Sequence, residues 1–283
     1  KPLLEVPSRT LLTLAGRVYV PGKALEDAMD IARGHAREGH GCTIGYFHGW
    51  HESAPDLADI NRNIISAVAA LQPKGYVSVK APAFRYAGDV LAAIVAKAMD
   101  DDALVHFDSH DAVTAAPTLA CVAHAQELGA KVGLTIPGRW RRSADDADTA
   151  QSLGIKVRVV KGEWPDPLVP DLDPRSGFLE VIDRLAGRAE AVAVATHDPW
   201  LAREALKRLQ AKGTRGEMEL LHGLPKRSLL ALAVELQVPV RFYVPFGIAW
   251  RPYALGKALQ RPRILWWILR DSLAGLMSYR SDR

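Results

Sequence analysis

Short apolar segments rich in β-branched residues recur along the chain and alternate with segments of helical periodicity. The predicted strands are Cys42–Phe47, Tyr76–Ala83, Ala103–Ser109, Lys131–Gly138, Lys156–Gly162, Ala191–Asp198, Glu217–Gly223 and Val240–Gly247. The segments of helical periodicity include Leu57–Leu71, Ala112–Leu128, Pro199–Lys212 and Lys226–Leu236. Strands that alternate with helices pair in parallel through crossover helices. Eight such units without a long insertion predict an α/β fold, a closed (β/α)8 barrel of the TIM type.

The length of the chain agrees with one barrel domain over residues 1–283, because such a barrel takes about 250 residues. An open doubly wound sheet is the alternative, but the Gly-rich phosphate loop that often follows its first strand is absent. Ala24–Glu38 predicts an additional N-terminal helix, and residues 263–279 predict an appended C-terminal helix. The apolar part of the latter, Arg263–Met277, either packs on the barrel or contacts a membrane surface or a partner.

Composition places the chain among globular proteins, with 48% hydrophobic and 24% charged residues. The net charge of +4 is mild, so we expect no nucleic-acid partner. No apolar run approaches the roughly 18 residues that would predict a membrane-spanning helix, and no signal peptide is evident. Cys42 and Cys121 are far apart and have no metal-binding spacing, which favours a reducing, cytoplasmic location.

Five predicted strands place polar residues on one consistent face, since side chains alternate between the two faces of a strand. The set comprises Ser78, Lys80, His106, Asp108, His110, Arg158, Glu217, Glu219, Arg241 and Tyr243. Barrel lumens are mostly filled by branched aliphatic side chains. Unpaired buried charges are costly. We therefore expect either a structural ion network or, as the favoured interpretation, a charged polar ligand at the strand ends.

Histidines near the predicted strand ends leave a metal-dependent barrel hydrolase open as an alternative. The candidate ligands are His106, Asp108, His110, His197 and His222. The His-x-His pair that such enzymes carry on the first strand is absent, and the last strand ends without an acidic ligand. No serine or cysteine forms a distinctive nucleophile motif beside a histidine. We accordingly predict no metal site.

The same strand ends resemble the proline dehydrogenase family of FAD-dependent barrel enzymes, from about Pro21 to Pro262. YVSVKAPAF resembles the second-strand segment with its lysine, here Lys80, and HFDSHDA resembles the Asp-Ala-Glu segment, with Asp108 as the aspartate. VRVVKGEW resembles Arg-Leu-Val-Lys-Gly-Ala-Tyr, and ATHD resembles Ala-Thr-His-Asn. EMELLHGL resembles Glu-Phe-Gln-Met-Leu-Tyr-Gly-Met, and YVPFG resembles Tyr-Val-Pro-Tyr-Gly.

The resemblance implies non-covalent FAD across the strand ends and hydride transfer to flavin N5 from a carbon beside an amine nitrogen. Electrons would then pass to a quinone or another acceptor, as in proline catabolism. The cofactor residues that it implies are Arg158, Lys161, Gly162, Trp164, Thr196, His197 and Glu219. The substrate residues are Lys80, Asp108, Tyr243, Tyr253 and Lys257, and the catalytic residues are Arg158, Lys80 and Asp108.

The chain also departs from the family pattern where the substrate would bind. In the segment that begins at Trp250, Gly256 and Lys257 replace two arginines that hold the substrate carboxylate in the family. Pro137 stands in place of a fourth-strand glutamine, and Trp164 replaces a tyrosine. A glycine and a lysine do not reproduce a pair of guanidinium forks. We therefore expect a proline-like substrate, with a non-catalytic barrel that serves as a binding or interaction module as the alternative.

Overall fold

The predicted alternation of strands and helices is confirmed by the computed structural model, which describes residues 22–49 and 52–248. The strands are β1 Gly41–Tyr46, β2 Tyr76–Val79, β3 Leu104–Phe107, β4 Val132–Pro137, β5 Lys156–Val160, β6 Ala191–Ala195, β7 Arg215–Leu221 and β8 Val240–Phe246. They follow one another in sequence order around a closed parallel barrel, and β8 pairs with β1. The (β/α)8 class is therefore correct.

Helices connect the strands on the outside of the barrel, after one helix that precedes β1. They are α1 Leu25–Arg37, α2 Ala54–Ala69, α3 Gly88–Asp100, α4 Ala115–Glu127, α5 Ser143–Ser152, α6 Pro174–Leu185, α7 Pro199–Ala211 and α8 Arg227–Glu235. Local sequence explains several starts. The Ser53 hydroxyl accepts the Asp56 N–H at α2, and Asp173 and Asp198 cap α6 and α7, each of which begins with proline.

All eight predicted strands were too long at their C-terminal ends, by one to four residues, and the second and third show what this changes. β2 ends at Val79, and Ala81–Phe84 forms a 3-10 helix. Pro82 has no N–H with which to continue the strand ladder. β3 ends at Phe107, so His110 does not share the lumen face as predicted. Its half-exposed ring stacks on Trp164 instead, with ring centres 4.7 Å apart.

The two faces of the strands separate as the alternation predicts. Val77, Val79, Val105, Phe107 and Val157 are buried in the apolar core that also contains side chains of the surrounding helices. The polar residues of the same strands contact one another across the lumen. Both cysteines are free buried thiols, and burial raises the pKa of Cys42 to about 12.

Several predictions concern residues outside the part of the chain that the structure describes. They include Tyr253, Gly256, Lys257 and the C-terminal helix at residues 263–279. Within residues 22–49 and 52–248, none of the helices combines the length and the hydropathy that crossing a membrane requires.

Candidate functional site

The lumen contains two layers of paired charges, and the lower layer lies nearer the start of the strands. Glu217 Oε1 accepts a hydrogen bond from Arg241 Nε at 2.9 Å, and its Oε2 accepts one from Lys156 Nζ at 2.5 Å. Lys156 also donates to the Tyr76 hydroxyl at 2.7 Å, and the Arg241 guanidinium lies 3.6 Å from the centre of the Tyr76 ring. Burial favours a raised pKa for Glu217, but Arg241 and Lys156 outweigh it and keep that pKa below its ordinary value.

The upper layer is organised around Arg158, whose side chain is only 5% exposed. Its Nε donates to Thr135 Oγ1 at 3.0 Å, its Nη1 donates to Glu219 Oε1 at 2.7 Å, and its Nη2 donates to Asp108 Oδ1. Burial opposes the charged form, yet the Glu219 and Asp108 carboxylates raise the pKa of Arg158 above its ordinary value. The contacts described use three of the five N–H groups that a guanidinium offers.

Asp108 lies immediately beyond the end of β3 and joins Arg158 to two further side chains. The Tyr243 hydroxyl donates to Asp108 Oδ2 at 2.9 Å, and Lys80 Nζ lies 3.3 Å from the same oxygen. Burial alone would raise the pKa of Asp108, but Arg158 and Lys80 lower it. Burial and the nearby Asp108 charge raise the pKa of Tyr243 well above its ordinary value. The carboxylate is thus held ionised and the phenol is held protonated.

Lys80 approaches Asp108 from the side of the barrel where β1 ends. Its Nζ donates to the Tyr46 carbonyl oxygen at 3.2 Å and lies 4.2 Å from the centre of the Phe47 ring. Burial lowers the pKa of Lys80, although Asp108 opposes this effect. Glu52 fixes the same part of the chain by accepting hydrogen bonds at 2.5 Å from the Tyr46 hydroxyl and from the Gly49 N–H.

The residues that follow β5 form the edge of the site next to Arg158. Lys161 is 40% exposed and lies 4.0 Å from Asp198. Gly162 has a φ of +89°, and a Cβ there would come within 2.8 Å of the Pro137 ring. Trp164, the exposed partner of the stack with His110, accepts a hydrogen bond on its carbonyl oxygen from Trp140 Nε1 at 3.0 Å. This edge therefore offers a cation and an aromatic face, while the close packing at Gly162 is against Pro137 and Arg139.

Thr196 and His197 follow β6 and are engaged with neighbouring loops. Thr196 Oγ1 accepts the Asp198 N–H at 3.2 Å. His197 Nε2 accepts the Leu221 N–H at 2.9 Å, which assigns the proton to Nδ1 and lets it donate to the Pro225 carbonyl oxygen at 3.1 Å. Burial lowers the pKa of His197 to about 4, so the ring is neutral. A cofactor contact of His197 would therefore use ring carbons or the backbone.

Sequence reasoning missed Thr135, Phe47 and Glu52 as parts of this arrangement. The alternation of β4 could have identified Thr135, since Gly133 and Pro137 share its face. No local pattern marks Phe47 or Glu52, because their contacts depend on how the chain turns after β1.

The histidines and carboxylates considered for a metal site do not converge. His106 Nε2 lies 2.9 Å from Thr135 Oγ1, and His222 Nδ1 lies 3.1 Å from His35 Nε2 on the outer face of the barrel. Within the described residues, no three His, Cys, Asp or Glu side chains are grouped so that they could hold a metal ion. The hydrolase alternative thus has no ligand group in this part of the chain.

Comparison with known proteins places the barrel in a structural context. No family model matches the chain, and no curated protein matches it. The fold is similar to proline utilization A from Bdellovibrio bacteriovorus inactivated by N-propargylglycine, with a TM-score of 0.74 at 16% identity over 86% of this chain and 32% of that one. Proline utilization A from Corynebacterium freiburgense gives a TM-score of 0.65 at 15% identity over 95% of this chain and 32% of that one.

A third protein of this kind comes from Bradyrhizobium japonicum, with a TM-score of 0.62 at 19% identity over 84% of this chain and 30% of that one. The chain therefore matches about a third of the length of these proteins. At such identities the similarity shows a shared fold. That fold is the one implied by the proline dehydrogenase resemblance, which is confirmed at this level.

Proposed function

We propose that the protein is an FAD-dependent dehydrogenase that oxidises the C–N bond of proline or of a proline-like cyclic amine. The proposal is carried by the buried cluster of Arg158, Asp108, Lys80 and Tyr243 at the strand ends. The family-like motifs contribute these same four side chains from different strands. The barrel that brings them together has the fold of the proline utilization A proteins.

The donors at this edge of the barrel fit a flavin. Reduced flavin carries negative charge near its pyrimidine edge, and fixed cationic N–H groups stabilise such charge as it develops. Arg158 and Lys161 are cations of this kind, and Trp164 presents an aromatic face. Gly162 would contact the cofactor through its backbone. Thr196, His197 and Glu219 would complete the binding residues. When bound, FAD would accept a hydride from the substrate at N5.

Asp108 is the residue that we assign to the substrate nitrogen. An ionised carboxylate offers about four acceptor positions. Hydrogen bonds from Arg158 and Tyr243 occupy two of them, Lys80 lies beside a third, and the Ser78 hydroxyl also helps to lower the pKa of Asp108. A substrate N–H would therefore bind Asp108 alongside these four side chains. Because Asp108 stays ionised, it orients the amine and does not act as a general acid.

Lys80 and Tyr243 both hold Asp108 in place through its Oδ2. Tyr243 fixes Oδ2 through its hydroxyl, and its ring lies 5.2 Å from the Arg158 guanidinium carbon, where it forms part of the pocket wall. Lys80, the residue that follows β2, brings a cation to the same oxygen. In the proposed enzyme these two side chains also contact the substrate.

The proposed substrate class rests on residues 250–257, which lie outside the described residues. With Gly256 and Lys257 in place of two arginines, we propose a cyclic amine that carries a larger or uncharged group where proline has its carboxylate. Tyr253 and Lys257 would contact it. The electron acceptor would be a quinone or another oxidant, and the segment Arg263–Met277 would contact the membrane in which a quinone resides.

The experiment that tests the proposal is a visible spectrum of the purified protein, followed by anaerobic addition of proline and other cyclic amines. We expect a flavin spectrum, release of FAD on acid precipitation, and bleaching by a cyclic amine. A protein that neither carries FAD nor binds added FAD would contradict the proposal.

Lys161→Ala tests whether the cofactor lies at the proposed edge. A charge-assisted hydrogen bond contributes roughly 1.5–3 kcal/mol, so FAD affinity should fall by about tenfold or more. The matched control is Lys131→Ala, because Lys131 is an exposed lysine just before β4, at the opposite end of the barrel, where it pairs with Asp102. That variant should bind FAD as the unaltered protein does. Equal affinities in both variants would remove Lys161 from the site.

A binding module without catalysis is the second candidate, and one observation favours it. Glu217, Lys156 and Arg241 satisfy one another, and so do Arg158, Asp108 and Glu219. The barrel thus needs no ligand to neutralise these charges. A protein that binds a cyclic amine but never reduces FAD would support this candidate.

A further inference from the structure

Arg158 is held by two carboxylates, and the function proposed above gives Asp108 a substrate contact but gives Glu219 only a place among the cofactor-binding residues. Asp108 faces the substrate side, whereas Glu219 is bonded to Nη1 from the lumen face of β7. Glu219 is 4% exposed and accepts the Arg158 N–H at 2.7 Å. Burial at this level makes an ion pair electrostatically strong, because little water screens it. The charge of Arg158 is therefore strongly compensated by Glu219.

The upper layer as a whole is balanced. Two cations, Arg158 and Lys80, face two carboxylates, Asp108 and Glu219. In the family motif that EMELLHGL resembles, the third position is glutamine, and in this chain it is Glu219. A glutamine at 219 could accept the same hydrogen bond but would leave the layer with one net positive charge.

We infer that Glu219 is a positioning residue that lowers the reduction potential of bound FAD by compensating the charge of Arg158. The inference rests on the proposed function. Reduction adds negative charge to the flavin, and a neighbouring net cation favours the reduced form. A cluster without net charge favours the reduced flavin less. Glu219 thus acts through Arg158, and it tunes how readily the enzyme takes electrons from its substrate.

The test is the two-electron potential of FAD bound to Glu219→Gln, measured by equilibration with a reference dye. We expect the equilibrium to move toward reduced FAD by about tenfold, which corresponds to about 30 mV for a two-electron couple. Because the potential and the two binding constants belong to one thermodynamic cycle, the ratio of the affinity for reduced FAD to that for oxidised FAD should also rise about tenfold in the variant. A merely structural role for Glu219 would change both affinities equally and leave the potential unchanged.

Glu217→Gln is the matched control. Glu217 lies two residues earlier on the same face of β7, is also buried, and binds Arg241 and Lys156 in the lower layer. Two strand residues place it about 7 Å deeper in the lumen. The potential of FAD bound to Glu217→Gln should therefore shift far less than the potential of FAD bound to Glu219→Gln. Should Glu219→Gln fold poorly, Glu219→Met removes the same charge with a side chain of similar length.

The outcomes separate this inference from the proposed function. Suppose that the unaltered protein binds FAD and that FAD has the same potential in both glutamine variants as in the unaltered protein. The role of Glu219 is then refuted, while the proposed flavoenzyme function is retained. Equal shifts in Glu219→Gln and Glu217→Gln would also refute it, since the effect would not depend on Arg158. If the unaltered protein binds no FAD, the proposed function fails and the inference fails with it.

Discussion

Removing Glu217 should destabilise the barrel more than most single substitutions do. Its two oxygens pair with Arg241 and Lys156, and the three side chains are between 6% and 16% exposed. Truncation to alanine would leave two buried cations without a carboxylate. Breaking a buried ion pair in this way costs about 3–5 kcal/mol. That is a large part of the roughly 5–15 kcal/mol by which folded domains are stable.

The assay is equilibrium unfolding in urea at neutral pH, with the free energy of unfolding compared between the unaltered protein and Glu217→Ala. A triple variant, Lys156→Met with Glu217→Leu and Arg241→Met, serves as the comparison. Replacing a whole buried ion network by apolar residues is often neutral or stabilising. We therefore expect the triple variant to be more stable than Glu217→Ala. A loss below about 1 kcal/mol in Glu217→Ala would refute the reasoning, because it would place the pair in the range of solvent-screened ion pairs.

Two further predictions concern steric fit and pH. Gly45→Ala should displace Tyr243 from Asp108, since the new Cβ would lie 2.1 Å from the Tyr243 hydroxyl. We expect this overpacking to lower the free energy of unfolding by about 1–3 kcal/mol in thermal denaturation. The control is Gly34→Ala in α1, where nothing lies within 4 Å of the new Cβ, and it should be neutral or stabilising. Burial lowers the pKa of His35 to about 3, and nearby Lys226, His222 and His40 contribute to this shift. Below about pH 6.5 the unfolded chain therefore binds a proton that the folded state does not bind. Stability should therefore fall between about pH 6 and pH 4, and His35→Gln should make this dependence shallower by about 1.4 kcal/mol per pH unit; an unchanged slope would contradict the assignment.

The fold was predictable because each strand carries its own signal. In β2, Val77 and Val79 alternate with Ser78 and Lys80, and this pattern fixes which face enters the core. The ends of the strands were less predictable. The segment Tyr76–Ala83 contains neither glycine nor proline before Pro82, and the backbone restriction at Pro82 is the local signal that separates the strand from the 3-10 helix.

The candidate site was predictable as a set of residues but not as a set of contacts. Parity alone places Asp108, Arg158, Glu219 and Tyr243 in the lumen. Which carboxylate meets which cation depends on the register between strands that are far apart in sequence. Arg158 of β5, for example, reaches Asp108 just after β3 and Glu219 of β7, and no local pattern encodes those two contacts.

The pairing of these charges also changes what the polar lumen says about function. The sequence left open whether the buried charges pair with one another or with a ligand, and the described side chains pair with one another. Each of these buried charges therefore already has a partner of opposite sign, and its burial by itself does not require a ligand. What points to one is the position of the upper layer along the strands. Glu217 lies nearer the start of the strands and is paired with two cations, whereas Asp108 lies immediately beyond the end of β3. The two carboxylates are similarly buried, with side chains 11% and 13% exposed. Their depth in the barrel, and not their exposure, therefore makes Asp108 the carboxylate that the proposed amine and flavin would approach, because active sites of such barrels lie at the C-terminal ends of the strands.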